Sequence, residues 1–317
     1  MRRYITKKIL HAVPLLIGIS VLGFGIMQLA PGGPTALYTL NPNIRVEDIE
    51  RIKQIWGLDR PLHVQYLVWS GRLLTGNWGT SFRGGQPVLQ LILARIPATL
   101  ELMGTAYAIA ILLGFLVGVL GALRPYSVFD HLATSGAMMA LSFPTFWFGL
   151  MVIYVFAEKL AWIPSGGIAT LGAHFSLVDR LRHLIAPASV LGLVLTASWC
   201  RYTRSNMLEV LRTDFVRTAT AKGLSRGAVI WKHALRNALG PLIALGGLQV
   251  PWLFSGALVT ESIFGWAGMG RLFVDALTFR DYPLLMALLM FTATLVVLGN
   301  LLADIALAWA DPRIMFR

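Results

Sequence analysis

The chain is short of charge and almost without cysteine. Of its 317 residues, 13% are charged, about half the quarter that a soluble domain carries. That leaves too little polar surface to face water on all sides, so lipid is the expected solvent. The single cysteine, Cys200, excludes an intrachain disulfide and any cysteine metal cluster. The six histidines, His11, His63, His131, His174, His183 and His233, include no pair at the i, i+4 spacing that sets two metal ligands on one helix face. No G-x-x-x-x-G-K-[ST] phosphate cradle is present, and Lys222-Gly223 has the order reversed. Hydrolysis of ATP by this chain alone is not expected. No internal repeat marks a secondary transporter. No nucleophile lies beside a base in an apolar stretch, as an intramembrane enzyme would require.

What the chain has in abundance is apolar length. Hydrophobic residues make up 56% of it. A helix rises about 1.5 Å per residue, so a hydrocarbon core about 30 Å thick takes about 20 apolar residues. Six stretches qualify: 9–30, 97–123, 132–156, 184–200, 238–260 and 283–309. The first is too long for a cleaved signal peptide. The fourth is short and holds Pro187. The expected class is an all-α polytopic membrane protein with about six transmembrane helices. Basic residues orient it. With both termini cytoplasmic, the inner segments hold 15 Lys and Arg in 61 residues and the outer ones 12 in 115, the asymmetry of a multi-pass protein of the bacterial inner membrane. The net charge of +12 then reflects topology rather than a nucleic-acid partner. The expected organisation is 1–30, the cytoplasmic N terminus and first span; 31–96, a periplasmic loop domain; 97–310, a core of five spans with a cytoplasmic loop at 201–237; and 311–317, a cytoplasmic tail.

Two connections are long enough to have structure. In the outer one, Asn43 is a candidate cap for a helix through Trp56 with Gly57 past its end. Asp59 and Pro61 open a second, with Leu62, Tyr66, Trp69 and Leu73 on one stripe. These helices either lie on the membrane surface or cap the bundle, and Pro87 to Arg95 reads as a third surface helix. In 201–237, Asp214 is the candidate cap of a helix Phe215 to Lys222 that ends at Gly223, a natural left-handed position. Ser225 caps the next, Arg226 to Leu239, which Gly240-Pro241 is expected to break. The first of these carries Thr218, Ala219, Thr220 and Ala221, a small-residue face that another protein can approach closely; the alternative is a loop packed on itself. Glu101 and Asp304 are the acids placed within spans. Such acids are functional candidates by default, yet both lie near helix ends, where a salt bridge or water contact serves. Gly114, Gly118 and Gly121 form a stripe for close helix packing, internal or against a partner. Pro144 and Pro251 kink the third and fifth spans.

Arg217-Thr-Ala-Thr-Ala-Lys-Gly-Leu-Ser225, followed by His233-Ala-Leu-Arg-Asn-Ala-Leu-Gly-Pro241, resembles the EAA loop of ABC-importer permease subunits. Its form is that of the dipeptide, oligopeptide and nickel branch. Further motifs in the same order resemble the family: Leu29-Ala-Pro-Gly-Gly-Pro34, Gly57-Leu-Asp-Arg-Pro-Leu62, Gln65-Tyr66, Gly76-Asn-Trp-Gly-Thr-Ser-Phe82, Pro97-Ala-Thr-Leu-Glu-Leu102, Glu261-Ser-Ile-Phe-Gly-Trp-Ala-Gly-Met-Gly270, Arg280-Asp-Tyr-Pro283 and Asp311-Pro-Arg-Ile314. Arg217, Thr218 and Arg236 depart from the general EAA pattern in the manner of this branch. The long first outer loop resembles that of the first of two paired permease chains. The resemblance implies a non-catalytic subunit that forms half of a pathway with a second homologous permease chain. It implies two ATPase subunits that bind the ATP and Mg, and a periplasmic or lipid-anchored substrate-binding protein. It places ATPase coupling at Thr218, Ala219, Thr220, Ala221, Lys222, Gly223 and Leu224, with His233 and Asn237 beyond. The implied cargo is a dipeptide or oligopeptide, with nickel chelates, glutathione or oligosaccharides as alternatives.

Overall fold

The computed structural model describes residues 2–36, 45–254 and 256–310. Asn43 and the Asp311–Ile314 motif lie outside those residues. The two ends of the bundle are named by the orientation that the charges imply, inner for the end bearing the 201–237 connection.

Helix α1 (Arg2–Gln28) leads into the outer segment, where α2 (Val46–Trp56) follows Arg45 and closes on Gly57 at φ +69°, and α3 (Leu62–Leu74) follows Pro61. The spine of the molecule is a pair of long helices, α4 (Val88–Leu123) and α7 (Leu177–Leu211). They run parallel, since Gly114 meets Trp199 and Cys200 while Gly118 meets Cys200 and Thr203. A Cβ on Gly114 would sit 2.4 Å from that of Trp199, and one on Gly118 would sit 2.6 Å from that of Thr203. Gly192 of α7 returns the contact, with Ile109 at 2.8 Å. In lipid, helices associate through such close backbone approach rather than by expelling water. The glycine stripe therefore packs inside this chain.

Four expectations are corrected. Pro87 to Arg95 is not a separate surface helix; from Val88 it is the first part of α4. The third span is not one kinked helix: α5 (Val128–Ser142) and α6 (Thr145–Lys159) meet at 100°. Phe143 is extended there, φ −82° and ψ 132°, as the residue before a proline prefers. Pro187 does not interrupt the fourth span. Its helix spans 35 residues, about 52 Å at 1.5 Å per residue, and so continues as helix through Arg201 to Leu211. Gly240-Pro241 does not break the fifth span either. After a short helix α8 (Asp214–Ala221), α9 (Arg226–Phe254) passes through both residues, with a π-helical turn at Val229–Ala234 and a 3-10 end at Val250–Phe254 around Pro251. Proline is tolerated in apolar helices because neighbouring groups re-satisfy the freed carbonyl.

Two short outer helices, α10 (Leu258–Ile263) and α11 (Met269–Thr278), precede the last span, α12 (Tyr282–Ala310). Among the described residues five helices are long and apolar enough to cross a membrane, or six if α5–α6 is one span. The outer segment docks on the bundle: the Ser20 and Tyr66 hydroxyls lie 2.8 Å apart, Trp56 stacks on Phe82, and Trp78 meets Phe291 edge-on. Leu67 and Leu74 of α3 stay exposed.

Candidate functional sites: an inner elbow and an outer clamp

The inner elbow is α8 with its turn into α9. Thr213, not Asp214, stands at the N-cap, and Asp214 is the first helical residue. A carboxylate there still favours the positive end of the helix dipole. Lys222 ends the helix, Gly223 takes φ +77°, and the Ser225 hydroxyl accepts the Ala228 N–H at 3.3 Å. The helix–Gly–helix turn is thus formed as the sequence implied.

Its faces are not as expected. Val216 and Ala219, one turn apart, are buried against Val119 and Ala122 of α4, Met207 of α7, and Val229 and Ala234 of α9. Ala219 therefore belongs to the molecule's own core and is removed from the exposed small-residue face. Phe215, Arg217, Thr218, Thr220, Ala221, Lys222 and Leu224 remain exposed. The Thr218 and Thr220 hydroxyls donate to the Asp214 and Val216 carbonyls at 2.9 and 3.0 Å, so the exposed surface offers methyl groups more than free hydroxyls. Beside it opens a hollow of about 440 Å³, walled by Leu123, Leu211, Val216, Thr220, Leu224 and Ile230. His233 is half-buried and Asn237 exposed on the rising helix. The Asn237 amide donates to the His233 carbonyl at 2.7 Å, and no hydrogen bond among the described residues ties either to Thr218–Leu224.

Behind the elbow lies an ion pair that the sequence reading missed. Asp130 is buried and accepts from Arg204 Nε at 2.5 Å, Arg204 Nη2 at 2.7 Å and the Tyr126 N–H at 2.8 Å. It fastens the start of α5 to α7. The available signal was Ser127-x-x-Asp130: the Ser127 hydroxyl caps α5 by accepting the Asp130 N–H. Asp304 pairs with Lys8 at 2.7 Å, joining the inner ends of α12 and α1.

The outer clamp is denser. Glu101 receives Arg180 through Nε at 2.9 Å to both carboxylate oxygens and Nη2 at 2.5 Å. Arg180 also donates to the Ile168 carbonyl and lies over the Trp266 ring. Both span acids therefore sit in ion pairs. The centre of the clamp is Glu261, fully buried although the sequence placed it in a loop. Its carboxylate accepts the Ala257 N–H at 3.3 Å, the Arg271 N–H at 3.0 Å and the Thr99 hydroxyl at 3.2 Å, while Thr99 accepts the Met269 N–H at 2.7 Å. A Cβ on Gly268 would come 2.4 Å from Glu261 Oε2, which explains why the loop is glycine there. Burial pushes the Glu261 carboxyl above its usual range, against the backbone N–H bonds that hold it down. Trp266 Nε1 donates to the Ala98 carbonyl at 2.7 Å.

Asp281 is a second buried acceptor. It takes the Ser81 hydroxyl, the Phe82 N–H at 3.1 Å and the Leu284 N–H at 3.4 Å, so it caps α12 and grips the outer segment. Arg280 donates to the Pro31 and Gly33 carbonyls. Motifs some 250 residues apart thus close into one outer assembly. Among the described residues no three His, Cys, Asp or Glu side chains converge as metal ligands.

Residues 75–316 match the family model described as binding-protein-dependent transport system inner membrane component, and residues 1–103 match the model of its N-terminal region. The oligopeptide transport system permease protein AppB of Bacillus subtilis (strain 168) is 47% identical over 317 residues, all of both chains. The di/tripeptide transport system permease protein DppB of Pseudomonas aeruginosa (strain UCBPP-PA14) is 40% identical, and the dipeptide transport system permease protein DppB of Escherichia coli (strain K12) 37%, each over 99% of both chains. A solved amino acid ABC transporter shares the fold at TM-score 0.50 and 17% identity, over 71% of this chain and 94% of that one.

Proposed function

We propose a working role that starts from membership: the chain belongs to the family of binding-protein-dependent transport system inner membrane components. It is a multi-pass membrane permease subunit. Its relatives are named for oligopeptides, dipeptides and di/tripeptides, and peptides are the cargo assigned to it here. It works beside a second permease chain, with two ATPase subunits below and a substrate-binding protein above. Both termini are cytoplasmic, 31–96 is a periplasmic unit, and 97–310 is the permease core.

The observation that carries this reading is the elbow. Val216 and Ala219 fix α8 to the cores of α4, α7 and α9, while Phe215, Thr218, Ala221 and Lys222 stand outward beside the hollow, which Arg226 also lines. A short helix so fixed transmits a push as a rigid body, because packed cores rearrange between discrete states rather than deforming continuously. An ATPase seated on the outward face biases which state the spans adopt, and ATP does work only by its different affinity for the two.

The test is reconstitution in liposomes. The chain alone should neither hydrolyse ATP nor move peptide; with its sister chain, ATPases and binding protein it should do both. Robust transport by the isolated chain would end the reading.

A further inference from the structure

Two arginines line a second hollow, between α5 and α7 near the inner end, and they are differently engaged. Arg204 is held by Asp130 through two short bonds. Arg201, one turn earlier, has no carboxylate partner among the described residues; its guanidinium lies 6.0 Å from the centre of the Tyr202 ring. It is exposed. It directly follows the apolar stretch 184–200, at a helix end where a long basic side chain reaches the polar layer and stays free to meet an anion.

The rest of the hollow defines what would answer that charge. Thr134 and Ser205 supply hydroxyls on its polar side, and Ala137, Met138 and Leu141 form its apolar wall. Among the described residues neither hydroxyl has a hydrogen-bond partner. The volume is about 190 Å³, below the roughly 300–1,000 Å³ of sites that enclose a whole ligand, so it fits one end of a longer molecule. Asp130 sits nearby, but Arg204 occupies its charge, so an incoming anion is not repelled. A guanidinium fork with two hydroxyls beside a Met and Leu wall is the complement of a carboxylate that carries an apolar side chain.

We propose that this hollow receives the C-terminal carboxylate of a peptide at the inner mouth of this half of the pathway, a reading that rests on peptide cargo. The site is open on one side, so its affinity is weak, as a step in a pathway must be if cargo is to leave.

The test uses the complete complex in phosphatidylcholine nanodiscs, with Cys200→Ala and Ala137→Cys, on the hollow's wall, leaving one thiol on this chain. Its alkylation by a neutral maleimide is followed by mass spectrometry. N-acetyl-leucyl-leucine at millimolar concentration should slow alkylation by about threefold, as occupancy near its Kd requires, and the corresponding amide should not. Arg201→Gln should remove the protection and Arg201→Lys should keep part of it. Equal effects of acid and amide, or none from either, overturn the proposal. So does protection that appears only when phosphatidylglycerol replaces the neutral lipid, since the occupant is then a headgroup phosphate. In proteoliposomes, the ratio of free-acid to amide transport should fall toward one with Arg201→Gln. If the parent complex moves no peptide while the acid still protects, the assignment of cargo fails and the carboxylate site stands. If peptide moves and the acid does not protect, the site fails alone.

Discussion

The two ends of this bundle are built on opposite plans. At the outer end, buried carboxylates are spent on the protein's own backbone: Glu261 on two N–H groups and Thr99, Asp281 on Phe82, Leu284 and Ser81. At the inner end α8 buries one side, and exposes Phe215, Leu224 and a line of methyl groups beside an open hollow. Carboxylates held in this way fix the outer loops in place. A surface that leaves apolar groups uncovered next to a rigid core is made to be covered. The difference gives the outer clamp a bracing role and, on the proposed function, leaves docking to the inner elbow.

The largest effect should come from Glu261→Ala, which breaks the closed end. It orphans the Ala257 and Arg271 N–H groups in a buried site, at about 1–3 kcal/mol for each, and leaves a void beside Gly268. Loss of folded protein on thermal melting checks it, with Glu261→Gln expected to retain more. The same residue gives a pH dependence. Its carboxyl is raised in the folded state, so folding binds an extra proton between the ordinary carboxylate value and the raised one. Stability should therefore be highest at the acid side of that window and fall as pH rises through it, and Glu261→Gln should flatten the slope.

Next in size is Ala219→Arg. Because Ala219 is buried against α4, α7 and α9, the substitution should destabilise the isolated chain by about 1–3 kcal/mol from overpacking, and by more through the buried charge. A melt of the chain without partners reads it. Thr218→Arg, one residue earlier on the exposed side, should leave that melt within about 0.5 kcal/mol of the parent yet weaken ATPase co-purification about tenfold or more, the loss expected of a clash or a desolvated charge at an interface. If the two variants behaved alike, the elbow would have no inner and outer side. The smallest effect should be Lys8→Ala. Its pair with Asp304 is partly exposed, and such pairs contribute about 0–1 kcal/mol.

The sequence carried the spans and the elbow because both are local. Apolar length marks a span, and Gly223 with Ser225 marks a turn whatever surrounds them. It failed where distant residues decide. Pro187 and Pro241 looked like breaks, but both helices continue through them. Pro144 does break its span, since no continuous helix passes Phe143. Glu261 read as a loop residue because its partners, Thr99 and Arg271, come from another span and a later turn. Ala219 read as exposed because a helix of eight residues has too few turns for its apolar period to show which side faces in. Motifs noted separately at 29–34, 76–82 and 280–283 meet in one outer assembly, a convergence that no one-dimensional pattern displays.

The division of the elbow into a buried and a docking face is tested most directly by thiol accessibility, in a Cys200→Ala background, with and without the ATPase subunits. Thr218→Cys should react freely with a water-soluble maleimide in the chain alone and be protected when the ATPases bind, while Ala219→Cys should be unreactive in both. Equal reactivity of Thr218→Cys with and without bound ATPases, or ready labelling of Ala219→Cys in the chain alone, would contradict the assignment.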